Sequence, residues 1–232
     1  MIKALTNGGF GDSALSFAKL HAVFTEDKLS NVHVTHIRTR DDALNKVIHQ
    51  FYDSQNISNE VITVDSWNWQ KEHRSEFDMF LGTGWSEKNP GDEDSWVIEP
   101  FPNIRYNVVD DVNIVLNPRS GGVDYGKKEF SEEEIEDFMS RYPDTYIIGN
   151  GDDEHKYSKY KNSMYNKTSI QELVNILASA FTIISPEGFV PYFGCMCGAR
   201  VLCKNQNIQA IKERVHPDWD FHLIDDLKNI SI

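Results

Sequence analysis

Strand-like and helix-like stretches alternate along this chain, and the alternation starts twice from a strand that runs into a glycine-rich loop. The first start is "IKALTNGGFGDS", beginning at Ile2, and the second is "NIVLNPRSGGVDYGKK", beginning at Asn113. Parallel strands need a long crossover connection, which a helix usually supplies. The chain is therefore predicted to be an α/β protein with two parallel sheets.

The first half shows this rhythm most clearly. Apolar residues recur three and four positions apart between Ala14 and Phe24, which predicts a helix after the first glycine loop. "NVHVTHIRT" then predicts a second strand, "DDALNKVIHQFYDS" a second helix with an Asp cap, and "EVITVDS" a third strand. Trp67 and Trp69 follow at alternating positions, which fits either one face of a strand end or the lining of an acceptor pocket.

Residues 83 to 110 interrupt the pattern, because they are rich in glycine, proline and acidic residues and show no clear period. We expect a domain boundary here. The second half then predicts helix "SEEEIEDFMSRY", with Ser131 as its cap and acidic residues in its first turn. After it come strand "TYIIGN", helix "SIQELVNILASAF", strand "TIISPEG", a helix near 190 to 198 and strand "ARVLCKN". Two Rossmann-like domains, residues 1–109 and 110–232, are thus expected to face a cleft at the carboxyl ends of their strands.

Charge and cysteine content narrow the functional classes. The formal net charge of −13 disfavours a general attraction to nucleic acid or anionic lipid. The sequence has no run of about 18 apolar residues and no secretory signal pattern, which predicts a cytoplasmic protein without membrane insertion. Cys195, Cys197 and Cys203 are odd in number and close together, so buried thiols are favoured over a disulfide framework or a zinc site.

The first glycine loop, "NGGFGDS", matches neither common nucleotide fingerprint. Ala14 stands where the dinucleotide motif needs its third glycine, and the Gly-Lys-Ser/Thr ending of a phosphate loop is missing. Asp12 lies in the first turn of the predicted helix, where the helix N-terminus stabilises negative charge. Its carboxylate is predicted to be either a general base that stays ionised or a helix cap.

The second glycine loop holds the densest set of anion-binding groups in an acidic chain. Backbone N–H groups of such a loop, together with cationic side chains, can cradle a phosphate. A solvated turn with incidental cations is the alternative. The candidate phosphate-binding residues are Arg119, Ser120, Lys127 and Lys128.

Two later strand ends carry a carboxylate beside a glycine. "IIGNGDDEHK" places Glu154, Asp152 or Asp153 where a carboxylate commonly accepts hydrogen bonds from ribose hydroxyls, although an ordinary acidic surface turn gives the same pattern. "SPEGFVPYFG" places Glu187 and Gly188 in the same position after the next strand. These residues are predicted to face the ligand.

Taken in order, these four loops resemble the heptosyltransferase-like sugar transferases of glycosyltransferase family 9. That family consists of inverting enzymes with the two-Rossmann GT-B architecture. The chemistry that the resemblance implies uses a nucleotide-sugar donor and needs no cofactor or metal ion, because cationic side chains and loop amides stabilise the departing diphosphate. The resemblance implies that "GGFGDS" supplies the catalytic base, Asp12, with Gly9 and Gly11 on the donor side.

The same resemblance assigns donor contacts in the second half. Phosphate contacts fall on Arg119 and Ser120 and the family's lysine on Lys128 or Lys127, a nucleoside contact falls on Glu154, and the last motif falls on Glu187 and Gly188. Here Glu187 replaces the family's Asp, and Pro191 or Tyr192 stands where a His is usual. The chain is also shorter than usual, which leaves the sugar and the acceptor open.

The sequence therefore predicts an inverting, metal-independent glycosyltransferase that acts on a glycan or, less in keeping with the charge, on modified nucleic acid. Two alternatives stay open. One is a non-catalytic nucleotide or nucleotide-sugar binding module of the same fold. The other is a virus-type transferase that glycosylates modified DNA bases.

Overall fold

The structure is a computed structural model that describes residues 1–40, 43–81, 98–119, 129–204 and 214–232. The described residues fall into two compact units. The first contains those of 1–105 together with 214–218, and the second contains those of 106–204 together with 219–232.

The first unit is built on four parallel strands in the order β3-β2-β1-β4. After β3 the chain returns to the other side of β1 to form β4, so the strand order reverses between β1 and β4. Its elements are β1 (Ile2–Asn7), α1 (Phe10–Val23), α2 (Glu26–Leu29), β2 (Val32–Arg38), α3 (Ala43–Ser54), β3 (Ser58–Thr63), α4 (Asn68–His73), a 3-10 turn (Arg74–Glu76) and β4 (Met79–Leu81).

The second unit repeats this arrangement with five parallel strands in the order β6-β5-β7-β8-β9. The reversal of strand order lies between β5 and β7. Its elements are β5 (Ile114–Leu116), α5 (Glu132–Arg141), β6 (Tyr146–Ile147), α6 (Glu154–Tyr157), α7 (Ile170–Ser179), β7 (Thr182–Pro186), α8 (Phe189–Met196), β8 (Arg200–Lys204) and β9 (Phe221–Ile224). The predicted α/β fold with two parallel sheets is confirmed.

Sequence signals at the helix starts explain several of these boundaries. Ser131 accepts a hydrogen bond from the Glu134 N–H at 3.2 Å, and the Glu134 carboxylate accepts one from the Ser131 N–H at 2.6 Å. Ser169 and Glu172 form the same capping box at the start of α7. Such reciprocal bonds satisfy two N–H groups that the helix leaves unpaired. The predicted cap at Ser131 is confirmed, whereas the Asp cap predicted for α3 lies outside the described residues.

Some elements differ from the sequence prediction. The pair Trp67 and Trp69 lies at a helix and not at a strand end, because α4 begins at Asn68. Trp69 packs against the core cluster of Leu5, Ile37 and Phe80, while Trp67 is exposed. The short strands β4 and β9 were not predicted.

Burial on both faces accounts for the apolar character of the central strands. All five residues of β7 are buried, and β7 lies between β5 and β8. A strand covered by helices on both faces needs apolar residues at consecutive positions and not only at alternate ones. Among the described helices, none has the length and apolar character needed to cross a lipid bilayer.

Candidate functional site

The first candidate site begins where β1 ends, at the point where the strand order of the first unit reverses. Asn7 is the last residue of β1 and Phe10 the first of α1, so Gly8 and Gly9 make the whole connection. Gly8 has a φ of +108°, a conformation that side-chain-bearing residues rarely adopt. Ligands of open parallel sheets bind in the crevice at such a reversal.

Asp12 lies one turn into α1 and its carboxylate folds back onto this connection. Its Oδ2 accepts a hydrogen bond from the Gly9 N–H at 2.7 Å. Gly9 is the residue that precedes the helix, so Asp12 satisfies an N–H group at the helix start. The capping role predicted for Asp12 is therefore present, and the helix N-terminus stabilises the same negative charge. Both Asp12 and Gly11 are partly exposed.

A buried histidine lies beneath the connection. His36 is on β2, has no exposed surface, and its Nε2 donates to the Gly8 carbonyl oxygen at 3.1 Å. Burial lowers the pKa of His36 to about 4, so the imidazole is neutral near pH 7. A neutral imidazole whose Nε2 faces a carbonyl carries its proton on that nitrogen.

Hydroxyl groups complete the buried polar layer. The Tyr52 hydroxyl lies 3.5 Å from His36 Nδ1, and burial raises the pKa of that hydroxyl. Ser16 Oγ donates to the Asp12 carbonyl oxygen at 2.9 Å and also contacts Thr6 Oγ1. The sequence interpretation did not include His36 or Tyr52. A signal was present, since a histidine at a core position of a strand needs a polar partner.

The second candidate site begins after β5, where Arg119 is the last described residue before a gap. Arg119 Nη1 lies 2.7 Å from Asp153 Oδ2, and Lys156 Nζ lies 3.1 Å from Asp153 Oδ1. The hydrogen bonds from Lys156 and Arg119 lower the pKa of Asp153, and the bond to Asp153 raises the pKa of Arg119. Ser120, Lys127 and Lys128 lie outside the described residues, so the phosphate cradle stays a prediction.

A glycine turn follows β6, the neighbour of β5, and two side chains far along the chain hold it. Gly149 and Gly151 have φ values of +132° and +139°. The Tyr165 hydroxyl donates to the Asn150 carbonyl oxygen at 2.9 Å. The Asn166 amide accepts from the Gly151 N–H at 2.9 Å and donates to the Gly151 carbonyl oxygen at 2.8 Å.

Glu154 comes directly after this turn, at the start of α6, and is exposed. Its Oε2 accepts a hydrogen bond from Asn166 Nδ2 at 3.3 Å. The side chain predicted to contact the nucleoside is thus hydrogen-bonded to a residue that the sequence interpretation missed. Asn166 has a positive φ of 58°, which asparagine tolerates better than most residues, and that preference is the one signal in the sequence.

The third strand end, that of β7, places Glu187 and Gly188 before α8. Glu187 is buried, and its Oε1 accepts a hydrogen bond from the Tyr192 hydroxyl at 2.8 Å. Asn117 Nδ2 donates to Ser185 Oγ at 3.0 Å and so joins the ends of β5 and β7 at the strand-order reversal. Tyr192, one of the two candidates for the position of the family's His, therefore contacts Glu187, the candidate for the position of its Asp.

Two of the three cysteines lie at the end of α8, and Cys203 lies on β8 opposite Ser185. Cys195 and Cys203 are buried and Cys197 is partly buried. Burial raises the pKa of the Cys195 and Cys197 thiols, which keeps them protonated near neutral pH. No group of three or more His, Cys, Asp or Glu side chains in the described ranges is arranged to hold a metal ion.

Comparison with known proteins gives a fold and no sequence relative. No family model matches the chain, and no curated protein matches it. Solved structures do match over almost the whole chain, at low sequence identity. A likeness at this identity shows a shared fold and leaves the reaction open.

Three of these structures are transferases of the predicted family. The glycosyltransferase family 9 protein of Veillonella parvula matches with a TM-score of 0.58 at 10% identity, covering 96% of this chain and 85% of that one. The E. coli ADP-heptose lipopolysaccharide heptosyltransferase II matches with a TM-score of 0.60 at 8% identity, covering 97% of this chain and 90% of that one. The E. coli heptosyltransferase WaaC with ADP-2-deoxy-2-fluoro heptose matches with a TM-score of 0.57 at 10% identity, covering 97% of this chain and 95% of that one.

A protein described as a putative UDP-N-acetylglucosamine 2-epimerase from Listeria monocytogenes also matches, with a TM-score of 0.52 at 10% identity, covering 87% of this chain and 78% of that one. The predicted resemblance is therefore confirmed as a fold: the chain has the GT-B-like fold of the family 9 glycosyltransferases. The same fold also occurs in a protein described as an epimerase, so the reaction has to be argued from the residues.

Proposed function

We propose that this protein is an inverting glycosyltransferase that moves a sugar from a nucleotide-sugar donor to an acceptor hydroxyl without a metal ion. The observation that carries the proposal is the place of Asp12: a carboxylate at the carboxyl end of the first strand, fixed at a helix N-terminus by the Gly9 N–H at 2.7 Å. The fold shared with family 9 glycosyltransferases supports it.

In this proposal, Asp12 accepts the proton of the acceptor hydroxyl while the oxygen attacks the anomeric carbon. The bond from that carbon to the diphosphate breaks, and the configuration inverts. A carboxylate that hydrogen-bonds to backbone N–H groups stays ionised near neutral pH and can accept this proton.

The second unit would bind the donor. Arg119 is exposed at a strand end and would stabilise charge on the departing diphosphate together with Ser120, Lys127, Lys128 and the loop amides. Glu154, oriented by Asn166, would contact the nucleoside, and Glu187 with Gly188 would contact the donor beside β7. The donor base, the sugar and the acceptor are left open.

The test is a panel of nucleoside diphosphates and their sugars. A transferase shows a thermal shift with one donor and release of its diphosphate, which EDTA leaves unchanged if no metal is needed. Asp12→Asn keeps an oxygen that can accept the Gly9 hydrogen bond, so folding and donor binding should survive while turnover falls by about 10² to 10⁴-fold. Full turnover in Asp12→Asn would contradict the role of the base.

A non-catalytic nucleotide-binding module is the second candidate, and two contacts favour it. Asp12 Oδ2 is already engaged as a helix cap, and Arg119 is already paired with Asp153. A pure binder would show the thermal shift with no turnover of any donor in the panel. The same panel therefore separates the two functions.

A further inference from the structure

We propose that His36 is a positioning residue for Asp12 and acts on it through the Gly8–Gly9 peptide group. The inference deepens the proposed function, since Asp12 is the proposed base, although the contacts exist whatever the reaction is. The Gly8 carbonyl and the Gly9 N–H belong to one planar peptide unit and point in opposite directions. His36 Nε2 donates to that carbonyl at 3.1 Å, and Asp12 Oδ2 accepts from that N–H at 2.7 Å.

A fixed peptide matters here because both residues that flank it are glycines. Without side chains, the dihedral angles on either side of the peptide are less restricted than elsewhere in the chain. Rotation of this peptide would turn the Gly9 N–H away from Asp12. His36 opposes that rotation by holding the opposite end of the same planar group.

Polarisation is also transmitted through the two hydrogen bonds that link His36 to Asp12. A donor on the Gly8 carbonyl strengthens the Gly9 N–H as a donor, because hydrogen bonds in series polarise one another. A stronger N–H bond favours the ionised carboxylate of Asp12 over the protonated form. His36 therefore sets the orientation of Asp12 and helps to keep its carboxylate ionised.

The surroundings of His36 suit this role. It lies opposite Thr6 in the parallel register of β1 and β2, so the sheet fixes its backbone directly below the glycine connection. The Tyr52 hydroxyl on α3 lies near Nδ1, which leaves Nε2 as the nitrogen that carries the proton. Arg38 on β2 is a charged group that acts on His36, and Lys19 is buried further along α1.

Two amide substitutions test the geometry without introducing a charge. His36→Gln can place an amide N–H near the position of Nε2, whereas His36→Asn is too short to reach the Gly8 carbonyl. The readout is the titration of the Asp12 carboxyl carbon by ¹³C NMR, which needs no activity. We expect the pKa of Asp12 to rise by about half a unit in His36→Asn and to stay near the wild-type value in His36→Gln.

His33→Phe is the matched control. His33 lies on the same strand, and its Nδ1 contacts Ser58 Oγ at 2.8 Å and not the glycine connection. This variant should leave the Asp12 titration unchanged. If Asp12 titrates alike in His36→Asn, His36→Gln and the wild type, the inference is wrong. If His33→Phe shifts the pKa of Asp12 as much as His36→Asn does, the inference is also wrong.

Kinetics add a second readout once a donor is known. His36→Asn should lower kcat by roughly tenfold, leave KM for the donor unchanged, and move the acid limb of the pH–rate profile to higher pH. In the Asp12→Asn background the same substitution should have almost no further effect on kcat. If Asp12→Asn alone keeps full turnover, the proposed function fails, while the NMR titration still decides the role of His36.

Discussion

Gly8 and Asp12 approach each other so closely that no side chain fits at position 8. A Cβ atom on Gly8 would lie 2.3 Å from Asp12 Oδ2, whereas one on Gly9 would lie 3.7 Å from the same oxygen. The first distance is a collision and the second an ordinary contact. The glycine at position 8 is therefore a requirement of the Asp12 position as well as of the turn.

Substitutions at these two glycines should differ accordingly. Gly8→Ala combines the collision with an unfavourable positive φ, and we expect it to lower the free energy of unfolding by about 2 kcal/mol or more. Gly9→Ala, at a φ of −92°, should lower it by less than about 1 kcal/mol. Urea unfolding of the two variants measures the difference. Equal destabilisation of the two variants would show that the Asp12 side chain moves away from position 8 at no cost in stability.

A second pair of glycines compares a crowded position with an open one. Gly149 and Gly198 both have positive φ values, but a Cβ on Gly149 would lie 2.8 Å from Tyr165 Cε2, whereas one on Gly198 meets nothing within 4 Å. Gly198→Ala should lose about 1 kcal/mol from strain alone. Gly149→Ala should lose about 1–3 kcal/mol more, from overpacking together with the greater strain of its φ of +132°, compared with +82° at Gly198. Thermal unfolding of both variants tests this. A Gly149→Ala protein as stable as Gly198→Ala would mean that the Tyr165 ring moves aside at no cost in stability.

The ion pair between Arg119 and Asp153 predicts an effect on nucleotide affinity. Asp153→Asn removes the carboxylate that competes with a diphosphate for Arg119 and Lys156, so affinity for a nucleoside diphosphate should rise by about 3 to 10-fold at low salt. Arg119→Gln should lower it by a similar factor or more. Titration calorimetry at two salt concentrations measures both.

Asp144→Asn is the control for this comparison. Asp144 forms an exposed pair with Lys161 at 2.9 Å, and the substitution makes the same change in net charge. Its effect on nucleotide affinity should be small. An equal gain from Asp144→Asn would assign the effect to net charge and not to Arg119.

The low pKa of His36 predicts a dependence of stability on pH. Its value is about 4 in the folded protein and 6.5 in the unfolded chain, so between these values the unfolded state binds more protons. The contribution of His36 to the free energy of unfolding is therefore fully present above about pH 6.5 and is lost as pH falls toward 4, by up to about 3 kcal/mol.

His36→Gln has no such group and isolates this contribution. Urea unfolding from pH 7 to pH 4 should show a shallower loss of stability in His36→Gln than in the wild type. Carboxylates with lowered pKa values, such as Glu134 and Glu172, also make the free energy of unfolding fall as the pH falls. They do so equally in both proteins, so their effect cancels when the two pH dependences are compared. Identical slopes would mean that His36 is not buried as a neutral group.

The sequence identified most of the regular elements, because their signals are local. Alternating strand-like and helix-like periods predicted the parallel sheets, and Ser131 with Glu134 predicted the start of α5. The three-residue strand β4 and the four-residue strand β9 were missed because so few residues carry no recognisable period. The strand end considered for Trp67 and Trp69 was wrong for a related reason. Two residues at alternating positions are too few to distinguish a strand from the start of a helix, and α4 begins at Asn68.

Candidate residues such as Asp12, Arg119 and Glu187 could likewise be selected from the sequence, because each follows an apolar strand in a short polar loop. Their partners could not. His36 lies 28 residues from Gly8, and Asp153 lies 34 residues from Arg119. Local periodicity encodes which residues form a strand and which face is buried. Only strand order and register decide which remote side chains meet, and that is how the tertiary structure brings His36 to the peptide that holds Asp12.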